Sequence, residues 1–357
     1  MSLAKIEATD LRNIESASLL PSPRLNFLIG PNASGKTSLL EAIHLLGRAR
    51  SFRTAQANQI IRFGQPALTV TGRIATGEGR TFPIGVRIAR SEREIHLDGK
   101  VLPSSSELLR AFPVLVIQPA GVALLEGAPK QRRQFLDFGA FHEDAAYLDH
   151  WRRYVRALGQ RNALLRGNRL RELPPWSHEL ARYGTIVADS RLRHMERLDG
   201  FFQATAARFF PGQHFEFRLQ AGWDTAKPLE TILAEGIPAD VRHGYTQSGP
   251  HKGDFSITLH GRSVKAYLSR GQMKLLVYAL LLAQSRLMEE RVGSAGCVLV
   301  DDVASELDEP NKQTLLAFLR EGRTQYFVTA TARDMIEAGL SDDAALFRVE
   351  QGQVIQA

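Results

Sequence analysis

The chain has 357 residues, 44% of them apolar and 23% charged, with 45 Lys and Arg against 38 Asp and Glu for a formal charge of +7. That is an ordinary soluble composition, long enough for one large domain with an insertion or for two domains. Its single cysteine, Cys297, excludes disulfides within the chain and cysteine metal sites, and its longest apolar run, Leu275 to Ala283, is far short of the roughly 18 residues that span a bilayer.

The start, MSLAKIEATDLRN, has no apolar run of the signal-peptide kind, so the cytoplasm is the expected compartment, with no membrane contact. Period-two segments follow: AKIEAT, RLNFLIG, ALTVTGRI, FPIGVRIA and EIHLDGK, read as strands and hairpins. Within them a helix is expected from Gly35 through SLLEAIHLLG, with Leu39, Leu40, Ile43 and Leu46 on one face. From Gln131 to about Phe210 the period becomes helical. Two long helical segments flank the polar connection RGNRLRELPPW, which predicts an αα-hairpin arm. Lys130 to Arg208 carries 15 Lys and Arg against 9 Asp and Glu, so it supplies most of the excess positive charge. Such a segment is either a solvated helical face or a surface for DNA phosphates or an acidic partner. Strand patterns return in HFEFRLQAGW and DFSITLHG. A helix from Ser269 to Met288, the strand GCVLVDDV, the helix NKQTLLAFLREG, the strand TQYFVTAT, the short helix RDMIEAG and the ending ALFRVEQGQVI complete an α/β pattern.

GPNASGKT, Gly30 to Thr37, has the phosphate-loop spacing GxxxxGK[ST], after an apolar strand and before a helix. Gly30 and Gly35 permit backbone that a β-carbon would obstruct, while consecutive N–H groups face the phosphates. The predicted nucleotide set is Gly30, Pro31, Asn32, Ala33, Ser34, Gly35, Lys36, Thr37 and Ser38. Lys36 is expected on the β- and γ-phosphates and the Thr37 hydroxyl on Mg²⁺. In CVLVDD, Asp301 ends a strand and is the expected metal-side carboxylate. Asp302 is a candidate to orient or deprotonate the attacking water, or a group standing behind Asp301. Asp301 lies 265 positions after Lys36, so a large insertion separates the two halves of one site.

GPNASGKT, YLSRGQMKLL and VLVDDVASELD, in that order, resemble the ABC-type ATPase heads of SMC and Rad50 proteins. LRN at Leu11–Asn13, SFRT at Ser51–Thr54, EGAPKQRRQFLD at Glu126–Asp137 and SGPHKGDF at Ser248–Phe255 narrow the resemblance to the RecF family, over essentially the whole chain. The resemblance implies an α/β fold: an ABC-type (SMC/Rad50-like) head with a P-loop, an antiparallel β subdomain and an inserted helical arm. Expected boundaries are 1–125 for the N-terminal lobe, 126–212 for the arm and 213–357 for the C-terminal ATPase part. It also implies a weak, DNA-stimulated ATPase in recombinational repair, with ATP and Mg²⁺ as cofactors. The implied partners are duplex DNA and its single-strand junctions, RecR with RecO and RecA, and a second copy of the chain when ATP is bound.

The resemblance assigns Ser269, Arg270, Gly271 and Gln272 to a signature motif offered to the γ-phosphate in the opposite subunit; a bare N-cap is the other reading of Ser269. SELD, Ser305–Asp308, resembles a D-loop. Gln118 stands where a glutamine would sense Mg²⁺, or is merely the polar end of a strand. His251 is structural or phosphate-facing, and Arg48 and Arg53 are expected near nucleotide or DNA. Ala33 replaces a common glycine, tolerable at negative φ, and TATAR lacks the switch histidine of transporters. Alternative readings are a transporter-type ATPase subunit and a nucleotide-gated scaffold with negligible hydrolysis.

Overall fold

The computed structural model describes residues 1–77, 79–292, 296–302, 307–333, 336 and 343–356. Two compact units emerge, Met1–Gly121 with Tyr278–Ala357, and Val122–Val277.

The first unit opens with β1 (Ser2–Leu11), β2 (Ile14–Leu19), β3 (Leu25–Ile29), α1 (Lys36–Arg48), β4 (Ala67–Ala75), β5 (Thr81–Ala89), β6 (Arg93–Leu97), β7 (Lys100–Val101), α2 (Ser106–Ala111) and β8 (Val114–Ile117). An antiparallel sheet runs β2-β1-β4-β5-β6-β7. Alternation buries Leu68 and Val70 of β4 and Ile84, Val86 and Ile88 of β5 on one face. A register shift between Leu3 and Lys5 lets Leu3 and Ile6 both point inward.

The second unit contains α3 (Ala123–Glu126), α4 (Pro129–Glu143), α5 (Tyr147–Arg166), α6 (Leu173–Phe209), β9 (Phe215–Gln220), α7 (Leu229–Glu235), α8 (Ile237–His243), β10 (Asp254–Leu259), β11 (Arg262–Ser263), α9 (Val264–Tyr267) and the start of α10 (Arg270–Val292). The α5–α6 pair forms the expected hairpin. Its first segment is broken, however, because the Asp144 carboxylate accepts the Ala146 N–H at 2.8 Å and turns the chain between α4 and α5. Pro174 and Pro175 do not lie in a loop either. They sit in the first turn of α6, where a missing N–H leaves no intrahelical bond unmade.

The second unit begins at Val122, close to the expected 126, and ends at Val277, well beyond the expected 212. The β9–β10 hairpin belongs with the arm because Phe217 and Phe255 pack on each other and reach Phe202 of α6 and Phe135 of α4, with ring centroids 4.9–6.1 Å apart. The return to the first unit falls inside α10.

The chain then adds β12 (Cys297–Val300), α11 (Glu309–Arg320), β13 (Gln325–Ala330), β14 (Ala345–Glu350) and β15 (Gln353–Gln356) to the first unit. Its second sheet runs β15-β14-β3-β13-β12-β8, parallel except for β15. Every residue of β12 and β13 is buried, the continuous apolar run CVLV in β12 and, in β13, Tyr326, Phe327 and Val328 together with the polar Gln325 and Thr329. Helix α1 shares one core with both sheets: Leu39, Ile43 and Leu46 join Leu3, Val70 and Ile84 of the antiparallel sheet and Leu28, Leu299 and Phe327 of the parallel one. It is therefore buried nearly all round instead of on the single expected face. Most of the expected helix RDMIEAG lies outside the described residues. No described helix is long and apolar enough to cross a membrane.

Candidate nucleotide site

The carboxyl ends of β3, β13, β12 and β8 lie side by side, the edge at which parallel α/β sheets take ligands. Gly30 follows β3 and donates its N–H to Ala330 O at 3.2 Å. A β-carbon there would stand 2.0 Å from Val349 O, so no other residue fits. Gly35 turns the chain at φ 118, and no side chain caps the first turn of α1. Amides of that turn thus remain available to an anion. Ala33 does not meet the condition of negative φ under which it would be tolerated without strain. It sits at φ 63, in the left-handed region.

Lys36 is folded back along the loop, its Nζ donating to Gly30 O at 2.7 Å and Pro31 O at 2.9 Å. Burial lowers its pKa, while Asp302 and Asp301 pull it back up. The Thr37 hydroxyl donates to Asp301 Oδ1 at 3.0 Å, which closes the 264-residue gap between loop and strand end. Thr329 Oγ1 donates to the same oxygen at 3.1 Å and accepts the Asp302 N–H at 2.7 Å. It can do so because β13 lies between β3 and β12. Burial raises the Asp301 pKa; hydrogen bonds from Thr37 and Thr329 oppose it. Asp302 stands at φ 50, turned out of the strand direction.

A cavity of about 640 Å³ is lined by Asn32 to Ser38, Asp301 and Asp302, all anticipated, and by Arg12, Asn13, Arg53, Gln59, Ile61 and Thr329. Of the second group only Arg53 was placed near nucleotide or DNA beforehand. Ser38 Oγ donates to Asn13 Oδ1 at 2.9 Å, so LRN packs against the phosphate loop. Arg12 grips the fully buried Glu41 of α1 through Nε at 2.6 Å and Nη2 at 2.9 Å. The Ser51 hydroxyl donates to the same carboxylate, and Arg53 reaches within 4.0 Å of it. Glu41 is thus the hub that orders two cavity arginines. Its signal was a lone acid in an apolar helix.

Gln118 follows β8 directly beside Asp301, whose N–H donates to Ile117 O at 2.8 Å, but it is not among the cavity-lining residues. Arg48 corrects the expectation placed on it. It is half-buried, donates to Val114 O at 3.0 Å, and its pKa is pushed down to about 9 by desolvation and by Arg50. His251 is held on both ring nitrogens, Nδ1 by Tyr154 OH at 2.5 Å and Nε2 by Thr246 O at 2.9 Å, which favours the structural reading.

In the second unit, Ser269, Arg270, Gly271 and Gln272 are all exposed at the start of α10. Ser269 N donates to Gln272 Oε1 at 3.0 Å and Gln272 N to Ser269 Oγ at 3.3 Å, a reciprocal capping box. Ser269 is therefore an N-cap, and one held on the surface. Of SELD, Ser305 and Glu306 lie outside the described residues; Asp308 caps α11 by accepting the Asn311 N–H at 3.2 Å.

Residues 2–355 match the RecF/RecN/SMC N-terminal domain. The DNA replication and repair protein RecF of Pseudomonas putida GB-1 is 40% identical over 361 residues, covering 100% of this chain and 98% of that protein. RecF of Azotobacter vinelandii is also 40% identical, at 100% and 99% coverage. Among solved structures, the recombination mediator protein RecF with ATP superposes at a TM-score of 0.87 with 26% identity, over 99% of this chain and 97% of that one. An Smc head bound to the C-winged helix domain of ScpA, 16% identical, gives a TM-score of 0.62 over 100% and 98% of the two chains and shares the fold. Full-length similarity to repair proteins sets aside the transporter-subunit alternative. With the phosphate loop, the paired aspartates and the SMC-type head in one chain, it belongs to the RecF family of DNA replication and repair proteins, which are SMC-like ATPases.

Proposed function

We propose that this chain is an ATP-gated DNA clamp of recombinational repair: two copies join on ATP at duplex/single-strand junctions, act with RecR and RecO to help load RecA, and separate after slow hydrolysis. Backbone amides between Asn32 and Ser38, which line the cavity, hold the phosphates. Lys36 leaves its loop carbonyls for the β- and γ-phosphates, and Asp302 orients the attacking water. Thr37 and Asp301 offer hard oxygen donors 3.0 Å apart, fitting Mg²⁺, which needs few protein ligands beside substrate phosphates and water; Gln118 stands beside them. When bound, that ion supplies positive charge across the two terminal phosphates.

The observation that carries the two-copy assignment is the strip Ser269–Gln272, exposed and held by a reciprocal cap at the start of α10. A donor strip on the surface suits the γ-phosphate of a second copy, with Ser269 Oγ and the Gly271 amide as donors. Mixing Ser269→Arg with Lys36→Met subunits creates heterodimers with one intact site. Hydrolysis is expected to exceed that of either variant alone. A mixture no faster than its components rejects the shared site, and single-turnover phosphate release of zero with DNA present points to the scaffold alternative.

A further inference from the structure

Part of the positive charge of the arm is committed to ion pairs within the fold. Arg132 pairs with Asp254, Arg161 with Asp240, Arg191 with Asp137 and Arg197 with Glu143, and Arg152 and Arg169 have acidic neighbours three residues away. A different group of cations, drawn from three parts of the second unit, is exposed and has no ion-pair partner among the described residues: Arg166 at the end of α5, Arg242 at the end of α8, and Lys252 after it.

A buried network holds these parts together. Arg161, fully buried, donates from Nη1 to Asp240 Oδ2 at 2.6 Å and Thr246 Oγ1 at 2.7 Å. Its neighbour Asn162 accepts the Thr246 N–H at 2.8 Å, and Asp240 Oδ1 accepts the Gln247 N–H at 3.0 Å. Thus α5, α8 and the following loop are tied through one arginine. On the outside, Arg166 lies against Gly244, where its Cγ would be 3.4 Å from a β-carbon. Lys252 Nζ stands 4.8 Å from the centre of the Tyr245 ring, itself 41% exposed, and His243 packs 5.9 Å from the same ring.

We infer that Arg166, which lies against Gly244, Arg242, three positions before Tyr245, and Lys252, which stands over the Tyr245 ring, form a contact site for the DNA phosphate backbone. Three exposed cations with no ion-pair partner among the described residues, on elements tied by one buried network and beside an exposed aromatic, suit a polyanion better than an apolar protein surface. The acids nearest in sequence, Asp240 beside Arg242 and Asp254 beside Lys252, are already paired with Arg161 and Arg132. This site deepens the DNA-binding reading above and rests on it.

The test is fluorescence anisotropy of a labelled duplex with a single-stranded tail, titrated with full-length protein and ATP across a salt series. Each phosphate contact contributes about 0.9 to the slope of log K against log salt. The Arg166→Gln/Arg242→Gln/Lys252→Gln variant is therefore expected to be shallower by roughly 2 to 3, with ATP-driven dimerisation intact. Arg156→Gln removes another exposed, unpaired cation on α5 and should leave the slope unchanged. An unchanged slope in the triple variant overturns the site, even if binding to an acidic protein is weakened, and so does an equal effect from Arg156→Gln. Should the triple variant unfold, Arg242→Gln alone should lower the slope by about 0.9. Wild-type protein that fails to bind the duplex sinks both this site and the reading beneath it.

Discussion

At the scale of single residues, the nucleotide site keeps two unfavourable features that its proposed chemistry would require. Ala33 adopts φ 63, where its β-carbon crowds the backbone at roughly 1–2 kcal/mol, partly offset because glycine would be freer in the unfolded chain. Ala33→Gly should raise urea stability by about 0.5–1 kcal/mol; a loss of stability would show that the alanine methyl makes a contact worth more than the strain. Asp301 is the second feature. Burial raises its folded pKa, so the protonated form favours the fold and that contribution is lost as pH rises through the folded value. At neutral pH the carboxylate is a burden. Asp301→Asn retains an acceptor for Thr37 and Thr329 while removing the charge, and should stabilise the protein on the order of 1 kcal/mol while abolishing hydrolysis. A destabilised Asp301→Asn protein would mean that Lys36 and the two threonines already outweigh the desolvation.

At the scale of elements, α1 links the loop to the rest of the cavity through Glu41. Because that carboxylate has no exposure, removing Arg12 strands a buried charge with only Ser51 and the distant Arg53, so Arg12→Ala should cost about 3 kcal/mol in urea unfolding. Glu41→Gln should cost less, because Arg12 is partly exposed and can turn to water. Equal losses would argue that the pair acts through packing alone. This hub also marks where the sequence stopped being legible. The phosphate loop, Asp301 and the strand–helix pattern around them could be read because each is contiguous and locally periodic. Thr329, Arg12 and Gln59 reach the cavity only through strand order and loop packing, which no local spacing encodes. The arm boundary was missed for the same reason: a phenylalanine cluster, invisible as a period, attaches β9 and β10 to α4 and α6. Pro174 and Pro175 look like a loop in sequence yet suit a helix start equally well.

At the scale of the whole molecule, one unit interrupts the sequence of the other, and each carries a histidine whose pKa is lowered by burial. His44 of α1 has its pKa pushed down to about 3, first by desolvation and then by Arg48 and Arg50, while its Nδ1 meets Arg50 O at 2.7 Å. His251 is lowered for the same leading reason, and accepting the Tyr154 hydroxyl requires an unprotonated Nδ1. Both shifts have the same sign. The unfolded chain takes up protons near pH 6.5 while the fold resists, so stability falls as pH drops from 6.5 toward the folded values. Carboxylates contribute mainly below about pH 5, which leaves a window in which histidine dominates. There His44 alone should contribute a slope of up to about 1.4 kcal/mol per pH unit. Gln at position 44 can still donate to Arg50 O but does not titrate. Urea unfolding of His44→Gln between pH 6.5 and 5 should therefore be flatter than wild type by about that amount. His251→Gln should flatten the response of the second unit, read by fluorescence from Trp151, Trp176 and Trp223, which all lie in it. Parallel pH profiles for wild type and both variants would place the acid sensitivity in other groups and return the two histidines to ordinary packing roles.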